Sequence, residues 1–380
     1  MRLATLLVAV ALLDELGSGI PFVGSPEIQR EFGVSYGEAA GWLIFAMGAL
    51  ATAVEPAIFL LADRRRTKRG FVVGGLAALG FVSIAAGLAP SYWWLFAALA
   101  LYGPASGTGV ALAQASLADS RPANLERALV RWTFAGALGD LLTPSLVALG
   151  AWFAAGWRAA FVAVGVLFLA YAAVLWFVKF PESRPEGSDS PDGGLRVALA
   201  RPRLLLFATA VTLCSLMDEI LVAFGSLYLA DVTGFSLAER TGALTALMVG
   251  ELAGLATSDF LLARFAPRAL LVASGVTCAA AWAAFLASGT PLGASASLFA
   301  VGALASLQYP LVKAQAYRAL PGRSGAVNAV LTMFGVFELA LPLGLGLVAD
   351  RAGLTAALAL LALQPIGIAL VAASDRRGVA

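Results

Sequence analysis

Apolar runs of about twenty residues, separated by short polar loops, recur from one end of the chain to the other. A helix rises 1.5 Å per residue, so about 20 apolar residues cross a hydrocarbon core about 30 Å thick. Each run therefore has the length of a membrane-spanning helix. Twelve are read, at 4–24, 38–62, 70–89, 92–118, 128–152 and 158–180, then at 204–230, 237–263, 268–288, 292–318, 325–349 and 353–373. The pattern breaks between the sixth and seventh at Pro181-Glu-Ser-Arg-Pro-Glu-Gly-Ser-Asp-Ser-Pro-Asp-Gly-Gly. That polar, breaker-rich stretch reads as a linker. The prediction is an all-α membrane protein: an N-terminal six-helix bundle over 1–180, a cytoplasmic linker over 181–203 and a C-terminal six-helix bundle over 204–380.

Composition sharpens this picture. The chain is 60% hydrophobic and 13% charged, roughly half the charge of an ordinary soluble domain at about 25%. A basic chain can signal nucleic acid, but here the cations sit in short loops between spans. Arg64, Arg65, Arg66, Lys68 and Arg69 fall on one side, as do Arg121, Arg127, Arg264, Arg268, Arg318, Arg323 and the basic end of the linker. The other side carries Arg30, Arg158, Arg240 and Arg351. The excess of cations inside places both termini and the linker in the cytoplasm. The first apolar run lacks a small-residue cleavage site and reads as a retained helix. There is no histidine, and Cys214 and Cys278 both lie within apolar spans, so neither a disulfide framework nor a zinc site is expected.

The two halves repeat one another in order. Asp14-Glu15 in the first span is matched by Asp218-Glu219 in the seventh, and Ala113-Gln114-Ala115 in the fourth by Ala314-Gln315-Ala316 in the tenth. Asp140-Leu-Leu-Thr-Pro144 in the fifth is matched by Glu338-Leu-Ala-Leu-Pro342 in the eleventh. Transporters built from parallel repeats show this organisation. With six plus six spans, cytoplasmic termini and a central linker, the chain resembles the major facilitator superfamily. That family carries Gly-x-x-x-Asp-Arg-x-Gly-Arg-Arg between its second and third spans. The same loop here, Phe59-Leu-Leu-Ala-Asp63-Arg64-Arg65-Arg66-Thr67-Lys68-Arg69, keeps Asp-Arg and the basic run but lacks both glycines. Gly346-Leu-Val-Ala-Asp350-Arg351-Ala-Gly353 is a cleaner copy on the opposite side. The family's drug-antiporter signature, Gly-Pro-x-x-Gly-Gly in the fifth span, is absent. The resemblance implies a secondary transporter working by alternating access, without assigning a subfamily.

Acids at mid-span cost about 2.5–3.5 kcal/mol each on insertion scales and need a reason to be there. Asp14, Glu15, Asp218 and Glu219 are candidates for the substrate and coupling-ion site, or for structural capping and pairing. Neighbouring residues on a helix point about 100° apart, so the two acids of a pair address different surroundings. Asp140 and Glu338 each stand four residues before a proline, whose missing N–H leaves the acid's own carbonyl unpaired. They read as proton carriers, rocker pivots or polar packing sites. Glu251 and Glu55 are further proton-coupling candidates. Gln114 and Gln315 could bond either substrate or a neighbouring helix. Lys313 could neutralise an acid, repel a cation or bind a substrate carboxylate. The Gly103–Gly109 run reads as a place for close helix approach, not a phosphate loop.

Seven deep acids, Asp14, Glu15, Asp140, Asp218, Glu219, Glu251 and Glu338, face one deep base, Lys313. They cannot all stay ionised without cations, which favours proton coupling and a cationic or amphipathic substrate, with export preferred. No enzyme chemistry is read from the residues, and no cofactor. The expected partners are a small-molecule or ion substrate, protons or another coupling cation, and the lipid bilayer. A monomer in the cytoplasmic (inner) membrane is expected. The alternative is a non-transporting sensor or scaffold of the same fold.

Overall fold

The computed structural model describes residues 2–34, 38, 42–65, 67–152, 156–181 and 193–375. Most of the expected linker, 182–192, therefore lies outside the described residues, as do Arg66 and the Glu219 side chain. Among the described residues twelve helical segments are long and apolar enough to span a bilayer. In chain order they are α1 (Leu3–Val23), α2 (Phe45–Asp63), α3 (Arg69–Gly87), α4 (Tyr92–Ser120), α5 (Pro122–Gly150), α6 (Gly156–Trp176), α7 (Pro202–Asp231), α8 (Ala238–Arg264), α9 (Pro267–Leu286), α10 (Pro291–Ala319), α11 (Ser324–Ala352) and α12 (Leu354–Ser374). Most ends agree with the apolar pattern to within about a turn. The start of α5 lies earlier than expected because Pro122–Asn124 coil into a 3₁₀ turn that leads into the helix.

The described chain divides into two compact units. The first is Met1–Ala123, Arg131–Ala198 and Leu320–Met333; the second is Asn124–Val130, Leu199–Ala319 and Phe334–Ala380. Within the first, α2 packs on α4, α3 on α4, and α3 on α6; within the second, α8 packs on α10, α9 on α10, and α9 on α12. The pairing scheme is thus repeated. Lipid tails are as apolar as leucine, so helix association inside a membrane rests on close packing rather than on hiding apolar surface. Glycine supplies it: a Cβ on Gly75 in α3 would overlap the backbone of Gly109 in α4. Between α8 and α10, Gly250 faces the Phe299 carbonyl and Gly302 the Leu247 carbonyl with no room for a methyl.

The first helix of every group of three is irregular. In α1 the helix stops at Ser18 and resumes at Ile20. α4 contains a π-helical turn over Gly107–Ala111. α7 runs from Pro202 to Leu213, tightens into a 3₁₀ turn at Cys214–Met217, and restarts at Glu219. α10 stops at Ala305 and resumes at Gln308. Interrupted helices release backbone groups from the i→i−4 ladder, and inside a membrane each such group needs a partner.

Candidate functional site

In the first unit the two acids of α1 diverge as their helical spacing requires. Asp14 turns to α4, where Ser106 Oγ donates to its two carboxylate oxygens at 3.0 and 3.2 Å. The Tyr102 hydroxyl donates to the Asp14 carbonyl at 3.3 Å. Asp140 of α5 lies within electrostatic reach of Asp14. Glu15 turns to α5, where the absence of side chains on Gly136 and Gly139 leaves it room. Its carboxylate accepts from Ser18 Oγ at 3.0 Å. Thr143 Oγ1 stands 3.2 Å from the Glu15 carbonyl and 3.0 Å from that of Gly139.

Glu55 of α2, 9% exposed, lies directly against Gly107 in the π-helical turn of α4. Its carboxylate accepts from Thr332 Oγ1 at 3.2 Å. A Cβ at 107 would overlap this carboxylate where it stands, so a larger residue there would oblige the Glu55 side chain to move.

The second unit treats its acid pair differently. Asp218 stands exposed at the break in α7. The Met217 N–H, just before the break, donates to Gln364 Oε1 at 2.8 Å. Gln364 Nε2 in turn donates to Gln308 Oε1 at 3.0 Å. Both glutamines are buried, and their amides link α12 to the interruptions of α7 and α10. Glu338 of α11 has Lys313 and Asp218 within electrostatic reach. Lys313 Nζ donates to the Tyr309 hydroxyl at 2.8 Å and lies 5.1 Å from the centre of its ring. Cys214 neighbours both Glu338 and Asp218.

Each unit also carries a polar cluster away from these acids. In the first, Lys68 Nζ stands 3.1 Å from Asp63 and 2.8 Å from Asp119. Asp63 accepts from the backbone N–H groups of Gly325 and Ala326 at 2.9 and 2.7 Å, and Ser324 Oγ donates to Asp119 at 2.9 Å. Asp63 thereby takes orphan donors at the start of α11, where the helix dipole also favours an anion. Burial pulls the Lys68 pKa down, but the carboxylates of Asp119 and Asp63 outweigh it and hold the pKa above the ordinary 10.5. In the second unit Arg318 grips both oxygens of Glu126 at 2.7 and 2.8 Å. Gln315 Nε2 donates to Glu126 at 3.3 Å, and Arg203 bridges Gln315 and Asp375 at 3.3 and 2.9 Å.

The structure therefore brings Asp14 and Asp140 together in one unit, and Asp218, Glu338 and Lys313 in the other. Gln114 is buried in α4, whereas Gln315, its match in sequence, belongs to the Glu126–Arg318 cluster. Glu251 is half-buried in α8 where the backbone of Gly302 approaches it. Arg64 is exposed beside Asp63. Sequence reasoning did not single out Ser106, Thr143, Asp119, Glu126 or Gln364. A serine within the Gly103–Gly109 run and a glutamine in an apolar span were the available signals.

A family profile described as the Major Facilitator Superfamily matches residues 7–341. Among solved structures, FucP, described as a Major Facilitator Superfamily transporter in the outward conformation, aligns with a TM-score of 0.79 at 18% identity, over 97% of each chain. A second structure of FucP, the E. coli fucose:proton symporter, aligns at 0.77 and 19% identity, again over 97% of each chain. XylE, a proton:xylose symporter bound to 6-bromo-6-deoxy-D-glucose, aligns at 0.72 and 14% identity, over 97% of this chain and 94% of its own. At these identities the likeness is one of fold. No curated protein matches the sequence.

Proposed function

The chain belongs to the Major Facilitator Superfamily, and on that premise we propose that it is a proton-coupled carrier of a cationic or amphipathic solute, with export the preferred direction. A secondary transporter of this family is a membrane protein that moves a small solute, not an enzyme. The observation that supports coupling is the Asp14 carboxylate, set inside α1, held by Ser106 and close to Asp140. A carboxylate in such a place can hold a proton or face a cation, but not both at once. Mutually exclusive occupancy of that kind produces exchange, which is why outward movement of a cation against inward protons is preferred. In the same reading the bundles are 1–180 and 204–380, joined by the 181–203 linker. Both termini are cytoplasmic, and the protein works as a monomer. Asp14, Glu15, Asp218 and Glu219 line the site, and Asp140, Glu338, Glu251 and Glu55 are routes for the proton.

Purified protein in proteoliposomes enclosing a pH-sensitive dye tests this. Organic cations, divalent metals, neutral solutes and anions are added in turn. Proton movement triggered by an organic cation, and lost in Asp14→Asn, is the expected result. Solute flux with no proton signal for any class would remove proton coupling and move the acids to sodium binding or to structure. A proton signal from neutral sugars alone would replace the cationic substrate.

A further inference from the structure

Two hydroxyls on one face of α4 meet Asp14, and the second half of the sequence repeats neither. Tyr102 and Ser106 stand four residues apart, in the last regular turns before the π-helical Gly107–Ala111. Ser106 Oγ reaches both carboxylate oxygens of Asp14, at 3.0 and 3.2 Å, and the buried Tyr102 hydroxyl reaches the Asp14 carbonyl at 3.3 Å. Gly17, one turn further along α1, leaves that hydroxyl its space, since a Cβ there would overlap it. In the register that pairs Gln114 with Gln315, Ala303 and Leu307 stand where Tyr102 and Ser106 do. In the register that pairs Asp14 with Asp218, Leu221 stands where Gly17 does. The serine, the phenol and the space for it thus change together between the two halves.

We propose that Ser106 is a positioning residue that sets the pH at which Asp14 takes up and gives up its proton, with Tyr102 fixing the backbone beside it. This rests on the proton-coupled reading above and names the side chain that tunes it. A hydroxyl donor favours the ionised carboxylate, because a hydrogen bond to a charge is roughly twice as strong as one between neutral groups. A neutral donor does this without placing a fixed cation on the acid, so the carboxylate stays free to exchange a proton. The titratable groups around Asp14 are Glu15 beside it on α1, Tyr102 on α4 and Asp140 on α5, which lies within electrostatic reach. α6 also packs on α1, with Val164 and Phe168 against Gly17. Its Tyr171 hydroxyl donates to the Leu6 carbonyl at 2.6 Å, two turns from Asp14.

Infrared titration of the full chain in lipid membranes reads this without any transported solute. The carboxyl C=O band of protonated Asp14 is the one that Asp14→Asn removes, and its midpoint is followed against pH. Ser106→Ala is expected to move that midpoint to higher pH by about half to one unit, equivalent to a roughly three- to tenfold tighter hold on the proton. Ser106→Thr keeps the hydroxyl and stays at the wild-type midpoint. Tyr102→Phe keeps the ring, loosens the backbone and moves the midpoint the same way by less. Ser106→Cys, with a weaker donor of similar size, gives a smaller upward shift and serves where the alanine variant does not fold. An unmoved midpoint in Ser106→Ala or Ser106→Cys overturns the inference. An equal shift in Ser106→Thr overturns it as well, since packing rather than the hydroxyl would then be responsible. A titrating band that Asp14→Asn fails to remove leaves Asp14 without the proton and overturns it too. The expected shifts, with no cation-triggered proton movement in dye-loaded proteoliposomes, would uphold the role of Ser106 and defeat the coupled-transport reading.

Discussion

The Asp-Glu pair of α1 and that of α7 are the same two letters in sequence and differ in what surrounds them. Asp14 and Glu15 fall within a continuous stretch of helix, four and three residues before its stop at Ser18. Hydroxyls from α1 and α4 satisfy them. Asp218 stands at a break, beside a backbone N–H that a buried amide from α12 has captured. A carboxylate closed in by a serine is suited to holding or releasing a proton in place. One exposed at an interrupted helix, within electrostatic reach of a second acid, Glu338, is suited to meeting a larger cation. The same pair thus lies in a continuous, hydroxyl-lined helix in the first unit and at a helix break in the second.

That division has a sharp test. Asp14→Asn is expected to cut cation-triggered proton movement by about a hundredfold or more, the scale of losing a proton-transfer group. Asp218→Asn is expected to raise the cation concentration needed while leaving the proton response measurable at saturation. Equal loss in both variants would merge the two roles. Initial rates in dye-loaded proteoliposomes across a range of cation concentrations separate these outcomes.

The charge clusters allow a second contrast. The Lys68 side chain is 1% exposed between two acids, whereas that of Arg318 is 40% exposed on Glu126. Removing one member of a buried group costs about 3–5 kcal/mol because the remaining charges are stranded; Arg318 is itself partly in solvent, and the buried Glu126 keeps the Gln315 amide when the arginine is lost, so its removal costs less. Thermal unfolding in detergent is expected to show Lys68→Met far less stable than Arg318→Met. Similar melting of the two variants would mean that Lys68 is screened more than its burial implies.

A smaller effect is expected at the stitched break. Gln364→Leu strands the Met217 N–H and the Gln308 amide oxygen at a cost of about 1–3 kcal/mol. The same thermal measurement reads it, and Gln364→Glu, which keeps an acceptor for Met217, recovers part of the loss. An unaffected Gln364→Leu would show that the break in α7 does not depend on this amide.

The smallest effect is the one set by pH. The Lys68 pKa is raised in the folded protein, so the protonated lysine stabilises the fold fully below the ordinary 10.5. That contribution is lost as pH climbs through the raised value. Wild-type melting should fall more steeply than that of Lys68→Met in this alkaline window. Parallel curves would assign the alkaline loss to other groups.

The sequence by itself determined the twelve spans, their two matched halves and the acids that need explaining. Apolar length is a local property, and a charge inside an apolar run is visible without coordinates. It also determined that Asp14 and Glu15 face different surroundings, since helical spacing alone requires that. Tertiary structure decided which surroundings those are. Ser106 lies 92 residues from Asp14, and Gln364 lies 147 from Met217. Their meeting depends on the depth and rotation of separate helices, which no one-dimensional pattern carries. Gln114 and Gln315 make the same point. Matched in sequence, one is buried in α4 and the other joins Glu126 and Arg203. The breaks in α7 and α10 were likewise hidden, because neither Cys214–Met217 nor Ser306–Leu307 contains a proline or glycine. At the α7 break a partner on α12, not local propensity, takes up the Met217 N–H.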